Sequence, residues 1–261
     1  MDEFNPYNLK DLIPESTVEK LLNPSAETIG DGIGAIVYTV MQPALMLGIW
    51  SQQNVNNFKQ RLESKAQQTT LENYSTEKLN VAYTALKDLS GSEQTDDIKE
   101  MFANLIVNSL DKTKNHDFSS RISNELRQFS ANDATVLNRL LVGFDEVGVY
   151  NAIPVFDLIF QNKDTPAFLS FKEDVVFTTT IGELNEPLAL QNLQSSGIII
   201  INDTHSISES DSLNEQIIKQ KYENSPSVIK KLLSTPTDEF IVSRRSIRLT
   251  AFGRLFVSAI R

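Results

Sequence analysis

The sequence predicts a mainly α N-terminal region, residues 1–129, followed by an α+β region, residues 130–261. Three observations carry this. Apolar residues recur at helical spacing through the first half, most clearly in "DDIKEMFANLIVNSLDK". After Gly143 the texture shifts to short Phe/Val-rich runs bounded by Pro and Asp. Near the end, the chain runs helix signal, Gly, Ile-rich strand, polar excursion, strand, "LT", helix signal.

The elements follow in order. In "LNPSAETIG", Asn23 caps a helix that starts at Pro24, where the missing N–H costs nothing. Ala26, Gly30 and Gly34 recur every fourth residue, a face with almost no side chain that permits close helix packing in a core or a membrane. Pro43 interrupts the apolar run that ends at Trp50 and forces a kink or a break. Beyond it, Val55, Phe58, Leu62 and Ala66 share one face, and Lys59, Arg61, Glu63 and Lys65 avoid it. Leu79, Ala82, Tyr83 and Leu86 mark a helix ended by "SGSE". Ile98, Met101, Phe102, Leu105 and Ile106 form a wide apolar face, with Asp96 and Asp97 in the first turn, where the helix dipole favours them. Ile122, Leu126 and Phe129 indicate a shorter helix, and Ser130 caps the one bearing Leu137, Leu140 and Leu141.

In the second region, "AIPVFDLIF" and "AFLSFKEDVVFTT" are expected to include strands. Pro187 opens a helix after Asn185 or Glu186, Gly197 stops it, and Ile198 to Ile201 continue as a buried strand. "DTHSISESDS" reads as a loop, and "EQIIKQKYENSPSVIKKLLS" as helix on both sides of Pro226. A strand ends at Leu249, and Thr250 caps a last helix that packs through Phe252, Leu255, Phe256 and Ile260. This order resembles a winged helix. It departs in the 40-odd residues between Gly143 and Pro187 and in an excursion too long for a simple wing.

The absence of cysteine excludes disulfides, thiolate nucleophiles and cysteine-ligated metals. "MDEFNPYNLKDLIPE" has no basic start followed by an apolar stretch, so a cytoplasmic location is expected. Net charge is −10, unevenly spread: from Lys219 onward nine Lys/Arg face three acids, leaving that tail at about +6. The tail is either solvated beside the acidic remainder or a surface for phosphates or lipid headgroups, with Arg244, Arg245 and Arg248 as the contacts. No enzyme is expected. His116 and His205 sit in polar turns, "SEQTDDIKE" is explained by helix-start acids, and neither a phosphate loop nor a dinucleotide fingerprint occurs. No metal or cofactor is implied. The helix "PLALQNLQSS" offers Gln191, Asn192 and Gln194 but no cation for phosphate, so sequence-specific DNA binding is not expected.

The run from Ile29 to Trp50 is the most apolar in the chain, and no charge occurs between Asp31 and Lys59. It is long enough to span a bilayer, but its seven Ile, Val and Leu between Ile33 and Ile49 contribute only roughly −2 to −4 kcal/mol. Gln42 and Pro43 fall at the would-be midplane, where an amide and a freed carbonyl have no water. A kinked helical pair packed through Gly30 and Gly34, in a core or against the inner membrane, fits better than a constitutive span.

Three blocks in order resemble the abortive-infection alpha family of bacteria. They are "IGDGIGAIVYTVMQPALML" with the charged helix after it; "DDIKEMFANLIVNSLDKTK" followed by "FSSRISNELRQFSANDATVLNRL"; and "LQSSGIIII" with the terminal "LTAFGRLFVSAI". Together they cover roughly Ala26 to Ile260. The resemblance implies a role in phage defence and brings no catalytic residues. Two mechanisms fit. In one, a partner-binding protein uses its Gly-rich segment to perturb the inner membrane. In the other, a soluble winged-helix-like module, as monomer or homo-oligomer, binds protein or nucleic acid.

Overall fold

The computed structural model describes Val37, Val40, Met41 and residues 52–75, 77–203 and 209–261. Among these are nine α-helices and five strands. The chain divides into two compact units: residues up to Ala131 together with Leu255–Arg261, and Asn132–Arg254. The α+β unit therefore ends before the chain does, since the last turns of the C-terminal helix belong to the helical unit.

The helical unit contains α1 (Gln52–Ala66), α2 (Leu79–Ser90), α3 (Asp96–Ser109) and α4 (Ser120–Arg127). Helix α3 is its centre. Ile98, Met101, Phe102, Leu105 and Ile106 are each at most 3 % exposed, because the wide apolar face meets α1 on one side and α2 on the other. Thr95 caps α3 by accepting from the Ile98 N–H. The expected face of α1 is buried through Val55, Phe58, Leu62 and Ala66. After α1 the chain turns through Leu71–Asn73 and is stitched back to the end of α3: Ser75 N–H donates to Leu110 O and Lys112 N–H to Asn73 O, both at 2.8 Å.

The sheet unit starts with α5 (Ala131–Val147), which belongs to it from Asn132 on. There follow β1 (Ile153–Asn162), β2 (Phe168–Thr178), β3 (Gly182–Asn185), α6 (Pro187–Ser195), β4 (Ile199–Asp203), α7 (Glu209–Glu223), α8 (Pro226–Ser234), β5 (Asp238–Leu249) and α9 (Ala251–Ile260), of which α9 to Arg254 belongs here. The strands form one antiparallel sheet in the order β3-β2-β1-β5-β4. Both Phe/Val-rich runs are strands, and they pair with each other as a hairpin. The last strand is longer than its Ile/Leu pattern suggests. It pairs with β1 without a break from Ile153↔Ile247 to Asn162↔Asp238, so cross-strand bonding extends it back to Asp238.

Alternation sends Phe156, Leu158 and Phe160 to one face, where they pack with Val175, Phe240 and with Ile218, Tyr222 and Val228 of α7 and α8. On the other face α5 runs close: a Cβ at Gly143 would sit 2.4 Å from Ile181 Cδ1 and 3.0 Å from Ile153 Cδ1. Arg139 on α5 donates to the carbonyls of Ile181 and Glu183. Pro187 is the first residue of α6, and Gly197, at φ +77°, closes that helix and turns the chain into β4.

Candidate functional site

The alternation of β5 sends Arg245 to the face opposite Arg244 and Arg248, so the three sequence-selected arginines do not form one continuous cationic row. Arg245 donates to Asp157 Oδ1 and to Asp174 Oδ1, each at 2.7 Å. Asp157 Oδ1 also accepts the Asp174 N–H at 2.9 Å. Asp174 has φ +56°, in the left-handed region, beside a register shift between β1 and β2. Arg245 therefore pins a bulge, and its pKa is raised: partial burial works against the charge, and the two carboxylates outweigh it. The Arg244 side chain is 8 % exposed and lies 3.9 Å from Glu215. Arg248 is exposed on β5 opposite Ile200 of the edge strand β4.

A second cluster, not selected from the sequence, gathers on the helix-covered face. Glu183 on β3 accepts from Lys172 (2.9 Å), Lys221 (2.5 Å) and the Tyr222 hydroxyl. Lys172 also donates to the Tyr222 oxygen at 2.7 Å, and both ammonium groups lie over the Tyr222 ring, at 5.0 and 5.5 Å from its centroid. Burial pushes the Glu183 carboxyl up, but its three donors, Lys221 first, overrule this and hold it at about 2. Lys172 and Lys221 are shifted up by the same bonds, against the desolvation that pulls both down. Residues 50 positions apart build this group, and no local spacing announces it.

The middle block of the sequence resemblance acts on the chain's own end. Asn104 Nδ2 donates to Ile260 O at 2.7 Å and Asn108 Nδ2 to Ala259 O at 3.1 Å. These carbonyls lie in the last turn of α9, whose final four carbonyls have no partner within the helix, so two amides one helical turn apart on α3 serve as their cap. Lys114 donates to Asn108 Oδ1, Asn115 to Ser109 O, and Asp111 Oδ1 accepts the N–H and hydroxyl of Thr113. "NLIVNSLDKTKN" is thus a fastening, with Asn108, Ser109, Asp111 and Asn115 all buried.

Gly30, Gly34, Pro43 and Trp50 lie outside the described residues, as does His205. From the apolar run, Val37, Val40 and Met41 are helical and at most 3 % exposed. Val37 and Val40 line a small apolar cavity with Leu62, Ala66, Tyr74, Ile106, Val107 and Leu110. Tyr74 donates to Ala66 O, and burial raises its hydroxyl to about 12. Among the described residues no helix is long and apolar enough to cross a membrane. His116 is exposed, and Asp96 of the helix-start acids bonds Arg61 at 3.0 Å.

A family model described as "Abortive infection alpha" matches residues 51–260. The chain belongs to that family. The abortive-infection alpha match takes in the fastening block on α3, the sheet and the terminal helix, and it places the protein in the context of abortive infection and phage defence. No curated protein matches the chain. A solved structure of an uncharacterized protein from the hydrocarbon-degrading marine bacterium Alcanivorax borkumensis SK2 matches at 16 % identity. The match covers 53 % of this chain and 91 % of that one, at a TM-score of 0.29, a likeness from which neither fold nor function transfers.

Proposed function

We propose that this abortive-infection alpha protein acts without catalysis, by binding a protein partner, and that its apolar run then acts on the inner membrane. The observation that supports this is the burial of Val37, Val40 and Met41, three residues at i, i+3 and i+4, in the resting fold. A segment apolar enough to meet lipid but only marginal as a span is suited to being held in a core and used on demand. The protein is cytoplasmic at rest in this reading. The test is phage challenge of bacteria expressing the chain at low level, scored by plaque counts and by entry of a dye that intact membranes exclude. Protection accompanied by dye entry is expected, and both should vanish in a Leu45→Lys, Leu47→Lys double variant. Full protection by that variant, or protection without dye entry, overturns the membrane step.

A second reading has its own observation. α6, Gly197, β4 and, after the insertion of α7 and α8, β5, Thr250 and α9 keep the order of a winged helix, and the junction is tight. Thr250 donates to Gly197 O and accepts the Gly253 N–H. In this reading the module binds a protein or a homo-oligomeric copy through the β4–β5 edge, with Arg248 as its exposed cation. Soluble behaviour through carbonate and high-salt washes during infection, with protection lost in Arg248→Glu, favours it over the first.

A further inference from the structure

Helix α1 turns Asn54, Asn57, Phe58 and Arg61 to one side, at i, i+3, i+4 and i+7. Across from them stand Leu89 at the end of α2, Gln94 in the connection, and Asp96 and Lys99 in the first turn of α3. With Gln60, these residues enclose a half-open cleft of about 260 Å³, wholly within the helical unit. That volume sits near the lower end of ligand pockets, so its occupant is small.

The floor and the rim differ in chemistry. Phe58 and Leu89 are 4 % and 1 % exposed and give an apolar base. Arg61 is fixed: it donates to Asp96 O, Asp96 Oδ1 and Glu100 Oε2, each at 3.0 Å, so it braces one wall. Gln94 uses its amide N–H on Leu89 O and Ser92 O, which leaves its carbonyl oxygen as an acceptor. Asn57, Gln60 and Lys99 make no side-chain bond among the described residues, although α1 and α3 carry them to the same cleft. The lining is therefore the amides of Asn54, Asn57, Gln60 and Gln94, the ammonium of Lys99 and the Arg61–Asp96 ion pair, in which Arg61 offsets the one carboxylate, over an apolar floor. Amides read planar donor–acceptor edges bidentately, and an ammonium takes a phosphate as a point charge.

We propose that this cleft binds a nucleoside monophosphate, the base edge on Asn57, Gln60 and Gln94 and the phosphate at Lys99. The inference uses the helical unit alone and goes beyond the membrane reading, so either can fail while the other stands. The test is calorimetric titration of the full chain with AMP, GMP, CMP and UMP in turn, and with inorganic phosphate. Saturable one-to-one binding of at least one nucleotide is expected, tighter than phosphate. Lys99→Ala should weaken it about tenfold, the scale of one charge-assisted hydrogen bond. Asn57→Ala with Gln60→Ala should flatten the preference among the four bases. These side chains hold nothing in the fold, so the variants should melt as the parent does, which separates lost binding from lost structure. The proposal is overturned by any of three results: no saturation by any nucleotide, phosphate alone binding as well as the nucleotides, or affinity unchanged in Lys99→Ala.

Discussion

In the helical unit, the last carbonyls of α9 accept from Asn104 and Asn108, side chains that carry no charge across the working pH range. In the sheet unit, the equivalent fastenings are ionic: Glu183 gathers Lys172, Lys221 and Tyr222, and Arg245 gathers Asp157 and Asp174. The difference follows from what each place must satisfy. Helix-end carbonyls need donors only, and a neutral amide supplies one without a desolvated charge. The strand edges and the bulge at Asp174 bring charged side chains of neighbouring strands together, and pairing them is the way to keep them there. The asparagine cap of α9 should therefore be indifferent to pH where the ionic fastenings of the sheet are not.

The largest expected effect breaks a fastening that uses neither device. A Cβ at Gly253 would lie 1.9 Å from Ile198 O and 2.8 Å from its carbonyl carbon, both backbone atoms. Gly253→Ala should cost about 3 kcal/mol or more, against the roughly 1 kcal/mol that Ala ordinarily adds inside a helix. Urea unfolding measures it, and a neutral or stabilising outcome would mean that α9 does not seat against Ile198.

Asn108→Ala comes next. It leaves the Ala259 carbonyl without its donor in a position only 5 % exposed, and it takes the acceptor from Lys114. A loss of about 2 kcal/mol is expected, equal at pH 7 and pH 4. Asn108→Asp sharpens the point. It sets one carboxylate oxygen against the Ala259 carbonyl and offers the other to Lys114, so its effect, unlike that of Asn108→Ala, should change between pH 7 and pH 4.

Parts of this were legible in the sequence, and the dividing line is range. The faces of α1 and α3, the stop at Gly197 and the start at Pro187 depend on residues within a turn of one another, and all are found as read. The hairpin β1–β2 was legible as Phe/Val-rich runs but not in its pairing. The length of β5 was legible only in part: Phe240, Ile241 and Val242 favour a strand in its first half, and the bonds to β1 extend it back to Asp238. The asparagine cap joins positions about 150 residues apart, the Glu183 group draws on three elements, and the cleft is assembled by the packing of α1 on α3. The three arginines were chosen as a charge run, but the pleat and the carboxylates of β1 and β2 give each a different environment.

The Glu183 group is where the sheet unit should show its pH dependence. A carboxyl held at about 2 when folded, against 4.5 for the free group, adds stability that is complete above about pH 4.5 and is lost as pH falls toward 2. Lys221 is 55 % exposed, so solvent screening discounts the contribution to about 1–2 kcal/mol. Glu183→Gln should destabilise by that amount at pH 7 and by only a small remainder at pH 2, where about half of the carboxyls are protonated. Matched urea curves at the two pH values read this directly, and a deficit that persists undiminished in acid would assign the loss to packing.

The smallest effect belongs to Glu100, the centre of an exposed ion group in the helical unit. Glu100 accepts from Arg61 at 3.0 Å and from Lys65, and its side chain is 48 % exposed, against 18 % for Glu183. Both carboxylates meet two cations, so counting partners would rank them as equals. Exposure separates them: water and salt screen the outer group, and Arg61 keeps Asp96 when Glu100 is removed. Glu100→Gln should cost below about 1 kcal/mol and become undetectable at 1 M salt, whereas Glu183→Gln should retain part of its effect there, through the Tyr222 bond that salt does not weaken. Equal losses for the two variants, or a Glu100 loss that survives high salt, would show that the number of ionic partners sets the cost, and the contrast between the units would have to be redrawn on that basis.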